Sequence, residues 1–361
     1  MSKLEEARKI INEVDREMAA LFEKRMAACE LVAEYKKENG LSILDSDREK
    51  QVIAKNSELV NNPVYREYYV DFIKNTMRLS RSYQSRLNEG LRVAYSGVTG
   101  AYAHIASMKM YPNSKYIPYP DFESAYLSVE NGECDVAVLP IENSYAGDVS
   151  TVMDLMFSGG LYINQALNLG ISHCLLANEG AELSKIKKVI SHPQALSQCN
   201  DYIKKMGFEA TSIENTALGA KYVKENQLMD TCAIASEETS EIFGLKVLAK
   251  GINSSRTNTT RFVSFSRALS QKPSDKKMGK CFVLVFTVKN EAGALAKTID
   301  IIGAHDFNMK NLHSRPMKEL PWSYYFYVEA EGDINTRNGQ DMLRELSATC
   351  DKLKLVGTYE V

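Results

Sequence analysis

Residues 3–85 carry a hydrophobic pattern with helical spacing. From Leu4 to Lys37 apolar side chains recur every three or four positions, and an Asn-Gly pair at 39–40 supplies a stop signal. Two shorter segments of the same spacing follow, at roughly 46–60 and 63–86. The pattern predicts three α-helices, of which the first would be about 50 Å long at 1.5 Å per residue. Two shorter neighbours cannot bury a stripe of that length, so the pattern also predicts a partner chain.

From Leu91 onward, short β-branched runs alternate with helical segments. The runs are LRVAYS, CDVAVLP, KKVIS and TCAIAS, and the helices predicted after them lie at 101–110, 149–157, 193–206 and 236–243. This alternation is typical of an α/β domain with a largely parallel sheet. We place a linker at Gln84–Gly90, between the helical segment and this region.

A second polar stretch, Ser270–Gly279, precedes a short C-terminal module. The pattern there predicts strand 281–288, helix 293–303, strands 309–317 and 322–330, helix 336–348 and strand 352–359. The order βαββαβ is that of a ferredoxin-like α+β fold. The chain is therefore predicted to be multidomain, with an all-α, an α/β and an α+β part.

Composition narrows the class of function. The 361 residues include 44 Lys+Arg against 46 Asp+Glu, without a block of like charge, which argues against binding to nucleic acid or an anionic membrane. Seven scattered cysteines with no CxxC pair favour neither a disulfide framework nor a zinc site. The start MSKLEEARKI has no apolar signal core, and no apolar run is long enough to span a bilayer. We expect a cytoplasmic protein that binds small molecules.

Two cations on the first helix have a spacing that suits an anion. Arg25 and Lys36 are eleven residues apart, so they share one helix face at about 16 Å and could converge on a small dianion. Arg8 lies about 25 Å from Arg25 along the helix, so it could only serve the site of a dimer mate. The alternative is that all three are solvated surface charges.

The helical segment resembles the AroQ-type chorismate mutase domain over residues 1–86. The resemblance rests on LEEARKIINEVDREMAALFEKR, the Lys36 turn and LDSDRE. It implies an intertwined homodimer in which Arg8 crosses over. The ligand-holding positions it implies are Arg8, Arg25, Lys36, Asp45, Arg48, Glu49, Ser80 and Gln84.

The reaction implied by that resemblance is the rearrangement of chorismate to prephenate. This pericyclic reaction needs no acid, base, metal or cofactor. It does need cations that clamp two carboxylates, and a donor such as Lys36 or Gln84 for the charge that develops on the ether oxygen.

Four motifs in the α/β region lie at predicted strand ends, where open α/β sheets place their ligands. They are GVTGAYAH (97–104), LPIENSYAGDV (139–149), SHPQALSQC (191–199) and NSSRTNTTRF (253–262). Singly they are weak: GxxG is an ordinary turn, Ser191 could merely cap the helix that Pro193 begins, and His192 could be structural. Together they resemble prephenate dehydratase over about 91–268.

This second resemblance implies two α/β lobes similar to periplasmic binding proteins, about 91–170 plus 250–268, and 171–249. It implies that prephenate loses its ring hydroxyl and ring carboxylate together, giving phenylpyruvate. Thr260 would donate to the departing hydroxyl, Glu142 would be the second candidate acid if the cleft raised its pKa, and Arg261 would polarise Thr260 or bind a carboxylate. The functional positions implied are Glu142, Asn143, Ser191, Gln198, Thr260, Arg261 and Phe262.

Residues 279–361 resemble an ACT domain, through GALAKTIDI, NMKNLHSRP and WSYYFYVEAEG. The resemblance implies an allosteric phenylalanine site in which the free N–H groups of a helix start receive the ligand carboxylate. A dimerisation module without ligand is the alternative. One position departs from the family, because His313 stands where Glu is usual. The ligand-binding positions implied are Gly293, Ala294, Leu295, His313, Ser314, Arg315 and Pro316.

These resemblances together predict a bifunctional enzyme of phenylalanine biosynthesis that requires no metal or cofactor. An arogenate dehydratase, whose substrate has an amine in place of the side-chain ketone, is one alternative, although an attached mutase that makes prephenate favours the first hypothesis. A non-catalytic sensor of aromatic amino acids is the other. The presence of Thr260 and Glu142 argues against a sensor.

Overall fold

The computed structural model describes residues 2–255, 257–270, 279–318 and 320–360. Arg256 and most of the predicted linker Ser270–Gly279 lie outside these ranges. The chain divides into two compact units, residues 1–92 with 132–135 and residues 93–131 with 136–361. Within the described ranges, no helix is both long and apolar enough to cross a membrane.

The first unit contains the three predicted helices, α1 (Lys3–Glu38), α2 (Ser46–Glu58) and α3 (Pro63–Glu89). A capping box begins α1, in which Ser2 and Glu5 each accept a hydrogen bond from the other's backbone N–H. Helix α3 continues through the predicted linker Gln84–Gly90, so that prediction was wrong. No helix breaker precedes Gly90, whose φ of +80° ends the helix.

The apolar stripe of α1 remains uncovered within the chain. Leu4, Ile11 and Leu21 are 58%, 56% and 65% exposed. Helices α2 and α3 together leave this stripe open, as the length of α1 predicted.

The second unit begins with two lobes. The first lobe contains β1 (Arg92–Ser96), α4 (Tyr102–Met110), β2 (Lys115–Tyr119), α5 (Phe122–Glu130), β3 (Val136–Asn143), β4 (Gly147–Asp148), α6 (Ser150–Ser158) and β5 (Tyr162–Gly170). The second lobe contains β6 (Cys174–Ala177), a 3-10 turn (Leu183–Lys185), β7 (Lys188–Ser191), α7 (Pro193–Gln198), α8 (Asn200–Met206), β8 (Glu209–Ser212), α9 (Thr216–Glu225), β9 (Thr231–Ala235), α10 (Glu237–Phe243) and β10 (Lys246–Ala249). The chain then returns to the first lobe as β11 (Thr259–Ser266).

Both sheets are mixed, so the prediction of a largely parallel sheet was wrong. In the second lobe β7 pairs in parallel with β8 and β9, but β6 and β10 are antiparallel to their neighbours. In the first lobe β1 and β3 are parallel, but β11 is antiparallel to both β3 and β5. The antiparallel strands of the first lobe arise because the chain crosses between the lobes twice. Strand β5 leads the chain out of the first lobe, and β11 brings it back beside β5, so these two strands run in opposite directions.

The C-terminal module has the predicted order βαββαβ. Its elements are β12 (Lys280–Thr287), α11 (Ala294–Ala304), β13 (Asn308–Pro316), β14 (Tyr324–Glu331), α12 (Arg337–Thr349) and β15 (Lys352–Glu360). The strands form an antiparallel sheet in the order β13-β14-β12-β15, which is ferredoxin-like. Gly357 of β15 pairs with Ile163 of β5, so this sheet continues that of the first lobe.

Candidate active sites

In the helical unit, two of the predicted ligand-holding residues meet across α1 and α3. The Arg25 guanidinium donates to the Ser80 hydroxyl, and Ser80 is 4% exposed. Lys36 donates from Nζ to the carbonyl oxygen of Ile43 at 2.5 Å. Both cations are therefore held by the fold, whereas Arg8 is exposed on α1.

The other predicted positions of this unit lie on α2 and α3. Asp45 caps α2 by accepting from the Arg48 N–H at 2.9 Å. Glu49 pairs with Arg81, a partner that sequence reasoning missed. Gln84 is buried, and its Oε1 has no hydrogen-bond partner among the described residues. A buried acceptor or donor of this kind is costly unless something pairs with it, which suits a ligand-holding position.

A cleft of about 440 Å³ contains the two central residues of the dehydratase motifs. Thr260 lies opposite Asn143 across the antiparallel strands β11 and β3. Asn143 Nδ2 donates to Thr260 Oγ1 at 2.8 Å. The orientation of the amide is determined by its oxygen, which accepts from the backbone N–H groups of Tyr145 and Ala146 at 3.0 and 2.9 Å. The nitrogen must therefore face Thr260.

Gln198, at the end of α7, also lines this cleft. Its Oε1 is 2.9 Å from Nε2 of His173, and Nδ1 of His173 is 3.2 Å from the Tyr102 hydroxyl. His173 is 2% exposed, and burial lowers its pKa from the ordinary value. Sequence reasoning missed both His173 and Tyr102. The available signal was the ISH run directly after the predicted lobe crossing near residue 170.

Glu142 and Arg261 lie on the other side of the sheet. Each directly adjoins a cleft residue in sequence, and successive side chains of a strand point to opposite faces. Arg261 Nη1 is 2.7 Å from Glu329 Oε2 of β14 and 3.9 Å from Glu142 Oε2. Both line a separate cavity of about 610 Å³ beside the ferredoxin-like module. Their placement in the dehydratase cleft was therefore wrong, because the strand alternation turns them away from Thr260.

Ser191 and Phe262 are two further predicted positions, of which Phe262 belongs to the described lining of the cleft and Ser191 does not. Ser191 is fully buried, and its hydroxyl donates to the Ile234 carbonyl at 2.6 Å, which joins β7 to β9. The residue that caps α7 is His192, whose Nδ1 accepts from the Gln194 N–H at 3.2 Å, so the prediction of a Ser191 cap was wrong. Phe262 is 2% exposed and lines the cleft.

The cleft holds donors rather than fixed positive charges. Its described lining contains no lysine or arginine, and one carboxylate, that of Glu214. Instead, residues at the starts of α4 and α9 face it, including Tyr102 and Thr216. The first-turn N–H groups of a helix point outward and favour an anion. In the structure as described, no side chain caps α4, so its first-turn N–H groups are available, whereas Asn215 caps α9 by accepting from the Ala217 N–H at 2.8 Å.

In the ferredoxin-like module, Gly293 precedes α11 with a φ of +81°, and Ala294 and Leu295 begin its first turn. The other predicted positions, 313–316, end β13. His313 Nδ1 is 2.8 Å from Asp148 Oδ2, and Arg315 Nε is 3.1 Å from Asp154 Oδ1. Carboxylates of the first lobe therefore hold one face of β13. Ser314 and Pro316 belong to its opposite face.

The fold and these sites define a class: a helical chorismate mutase domain joined to a two-lobed α/β dehydratase domain. A family model described as Chorismate mutase type II matches residues 7–85, and one described as Prephenate dehydratase matches residues 93–269. The bifunctional chorismate mutase/prephenate dehydratase of Buchnera aphidicola subsp. Acyrthosiphon pisum is 31% identical over 97% of this chain and 94% of its own length. The chain belongs to the family of bifunctional chorismate mutase/prephenate dehydratases.

Other relatives match a smaller share of the chain. Arogenate dehydratase/prephenate dehydratase 2 of Arabidopsis thaliana is 33% identical, over 87% of this chain and 81% of its own length. Among solved structures, a prephenate dehydratase from Arthrobacter aurescens in complex with L-Phe is 26% identical, with a TM-score of 0.67 over 74% of this chain and 89% of that one. GqqA, described as a quorum-quenching acylase, is 28% identical, with a TM-score of 0.69 over 75% and 98%.

Proposed function

We propose that prephenate loses its ring hydroxyl and ring carboxylate in the cleft between the two lobes, with Thr260 donating to the departing hydroxyl. One observation carries this proposal: the 2.8 Å hydrogen bond from the Asn143 amide to Thr260 Oγ1 inside the cleft. Because Asn143 occupies an acceptor position of the hydroxyl, the hydroxyl's own hydrogen is left to donate elsewhere. A donor positioned in advance stabilises charge that develops on the leaving oxygen.

The same cleft supplies what the rest of the substrate needs. Prephenate is a dianion, and the outward N–H groups at the start of α4 offer a place for one carboxylate. The Gln198 amide offers a further polar contact. Ile171 and Phe262 form an apolar part of the wall, where departing carbon dioxide is less solvated than a carboxylate in water.

We propose that chorismate binds in the helical unit between α1 and α3. Arg25 and Lys36 would hold its carboxylates, and the unpaired Oε1 of the buried Gln84 would accept a hydrogen bond from the substrate's hydroxyl group. Arg48, with Asp45 and Glu49 on the same segment, would complete the site from α2, and Arg8 would enter from a partner chain. The uncovered stripe of α1 supports a homodimer.

The experiment is to supply chorismate to the purified full-length protein and to follow prephenate and phenylpyruvate over time. We expect phenylpyruvate to form after a transient rise in prephenate. Supplying prephenate and arogenate separately then determines the preferred substrate, and we expect a higher kcat/KM for prephenate because the attached mutase produces it. A preference for arogenate would contradict this assignment. Binding of either compound without turnover would indicate a sensor.

We further propose that the ferredoxin-like module is an ACT domain that binds phenylalanine at the start of α11. The left-handed Gly293 supports this, because no side chain caps α11; the Ala294 N–H donates to the Glu291 carbonyl oxygen at 3.2 Å, and the next N–H groups of the first turn, beginning with that of Leu295, would receive the carboxylate. The L-Phe complex described for the Arthrobacter aurescens relative is consistent with it.

The phenylalanine site can be tested by calorimetry together with dehydratase assays. Ala294→Asp places a negative charge at the proposed carboxylate position, so we expect phenylalanine binding and inhibition to be lost. Arg337→Asp makes the same side chain at the start of α12 and should leave both unchanged. Failure of the wild-type protein to bind phenylalanine would leave the module as a dimerisation unit.

A further inference from the structure

We infer that His173 is a positioning residue of the dehydratase site, which holds the Gln198 side chain with its amide nitrogen turned toward the substrate. The inference rests on the proposed role of Gln198 in the cleft. His173 itself would act through Gln198 and not on the reacting atoms.

Three hydrogen-bonded side chains form a line from the first lobe to the second. Tyr102 comes from α4, His173 from the crossing between β5 and β6, and Gln198 from the end of α7. The two links measure 3.2 Å from the Tyr102 hydroxyl to Nδ1 and 2.9 Å from Nε2 to Gln198 Oε1. The imidazole therefore spans the space between the lobes at the point where the chain crosses.

The chemistry of the ring decides which end of the Gln198 amide is free. The amide oxygen that faces Nε2 can only accept, so Nε2 must carry the hydrogen. In the neutral imidazole Nδ1 is then an acceptor for the Tyr102 hydroxyl, whose single hydrogen is shared between Nδ1 at 3.2 Å and the Ser172 carbonyl oxygen at 3.0 Å. Burial lowers the pKa of His173 and raises that of Tyr102, which keeps both groups neutral at physiological pH. The nitrogen of the Gln198 amide is left to donate to an anionic substrate.

The backbone around His173 is also held in place. Its N–H donates to Asn253 Oδ1 at 3.1 Å, and its carbonyl accepts from the Ile252 N–H at 3.0 Å. Asn253 and Ile252 belong to the segment in which the chain returns to the first lobe. The outgoing and returning crossings therefore fix the imidazole, so its position does not depend on either lobe alone. This is the rigid support that a positioned donor requires.

A double-mutant cycle tests the inference with prephenate as substrate. We expect His173→Ala and Gln198→Ala each to lower dehydratase kcat/KM by about 10²-fold, the loss that follows from a misplaced contact. The double variant should be no worse than Gln198→Ala alone, because His173 has nothing left to position. His173→Gln, which can place an amide N–H near Gln198 Oε1, should recover part of the activity. Circular dichroism and urea unfolding of each variant measure how much folded protein is present.

His104 is the matched control, because it too is a buried histidine, and its Nδ1 accepts from the Gly100 N–H at 3.1 Å within the first lobe. Any loss caused by His104→Ala should persist undiminished in the Gln198→Ala background. If the double variant instead loses kcat/KM by the product of the two single losses, His173 does not act through Gln198, and the inference is wrong. If Gln198→Ala alone leaves kcat/KM unchanged, the proposed role of Gln198 fails first. If His173→Ala does not fold, the cycle with His173→Gln gives the same discrimination.

Discussion

At the scale of single residues, neighbours in sequence have separate surroundings. Asn143 and Thr260 meet in the cleft, whereas Glu142 and Arg261, one position away on the same strands, face the ferredoxin-like module. The alternation of a strand is enough to explain this. Thr260 is therefore the better candidate for the donor to the leaving hydroxyl than Glu142.

We expect Thr260→Ala to abolish most dehydratase activity and to leave the mutase intact. Deletion of one well-placed transition-state donor costs about 10²–10³ in kcat. Chorismate should then be converted to prephenate that accumulates. Thr260→Ser keeps the hydroxyl and should keep most of the activity. Measurement of both products from chorismate checks this, and undiminished phenylpyruvate formation by Thr260→Ala would assign the donor role elsewhere.

Glu142→Gln should have a much smaller effect on the dehydratase than Thr260→Ala. The Glu142 carboxylate lies 3.9 Å from Arg261, on the side of the sheet that faces away from the cleft. It is therefore not positioned to donate a proton to a substrate in the cleft. The pH profile of kcat should keep its shape, since no acid of the reaction has been removed. If Glu142→Gln loses as much activity as Thr260→Ala, or if its pH profile of kcat no longer changes on the acidic side, Glu142 is the acid of the reaction.

At the scale of elements, the turn between β1 and α4 of the first lobe packs against the second lobe. Gly100 lies between β1 and α4 with a φ of +87°, and its carbonyl accepts from the buried Thr239 hydroxyl at 2.9 Å. A Cβ at this position would lie 3.1 Å from Phe243 and 3.3 Å from Ala217, both in the second lobe. The GxxG motif is therefore a close approach between lobes, and glycine is needed there for space as well as for backbone conformation.

Gly100→Ala should destabilise the fold more than a similar change at an open turn. The left-handed backbone alone costs roughly 1–2 kcal/mol, and overpacking against the second lobe adds about 1–3 kcal/mol. Gly251→Ala is the control, because Gly251 has a φ of +61° but no atom within 4 Å of an added Cβ. Urea unfolding of both variants measures the difference. Equal losses would mean that the lobes do not pack tightly at Gly100.

At the scale of the whole molecule, the helical unit leaves an apolar surface uncovered. Helix α1 exposes its apolar stripe, and Arg8 lies about 25 Å along the helix from Arg25. An isologous dimer would cover the stripe and bring each Arg8 to the other chain's site. The catalytic unit of the mutase would then be two chains, whereas the dehydratase cleft is formed within one.

Arg8→Ala and Arg48→Ala should each lose mutase activity, and mixing the two variants should restore part of it. In a heterodimer one of the two sites regains both arginines, so a statistical mixture recovers up to about a quarter of the wild-type rate. The assay follows the disappearance of chorismate after long equilibration, with heterodimers confirmed by native mass spectrometry. Confirmed heterodimers without recovery would show that each site is built within one chain. Dehydratase activity serves as the internal control throughout.

The sequence by itself determined the element order of the helical unit and of the last module, and the location of the functional motifs, whereas in the α/β region helices α5 and α9 were not predicted. Helical spacing indicated α1 to α3, and the βαββαβ order of the last module was predicted correctly, because periodicity and turn residues are local properties. The motif PIENS likewise marked the strand end that contributes Asn143. The linker predicted at Gln84–Gly90 was wrong, because no Gly or Pro before Gly90 ends helix α3.

Tertiary structure decided which of the marked residues meet. Sheet pairing placed Thr260 opposite Asn143 and turned Glu142 and Arg261 away, and the double lobe crossing placed the antiparallel β11 in the first lobe's sheet. It also brought His173 to Gln198, across 25 residues of sequence. These outcomes depend on strand register and on contacts between distant segments, and hydrophobic periodicity carries information about neither.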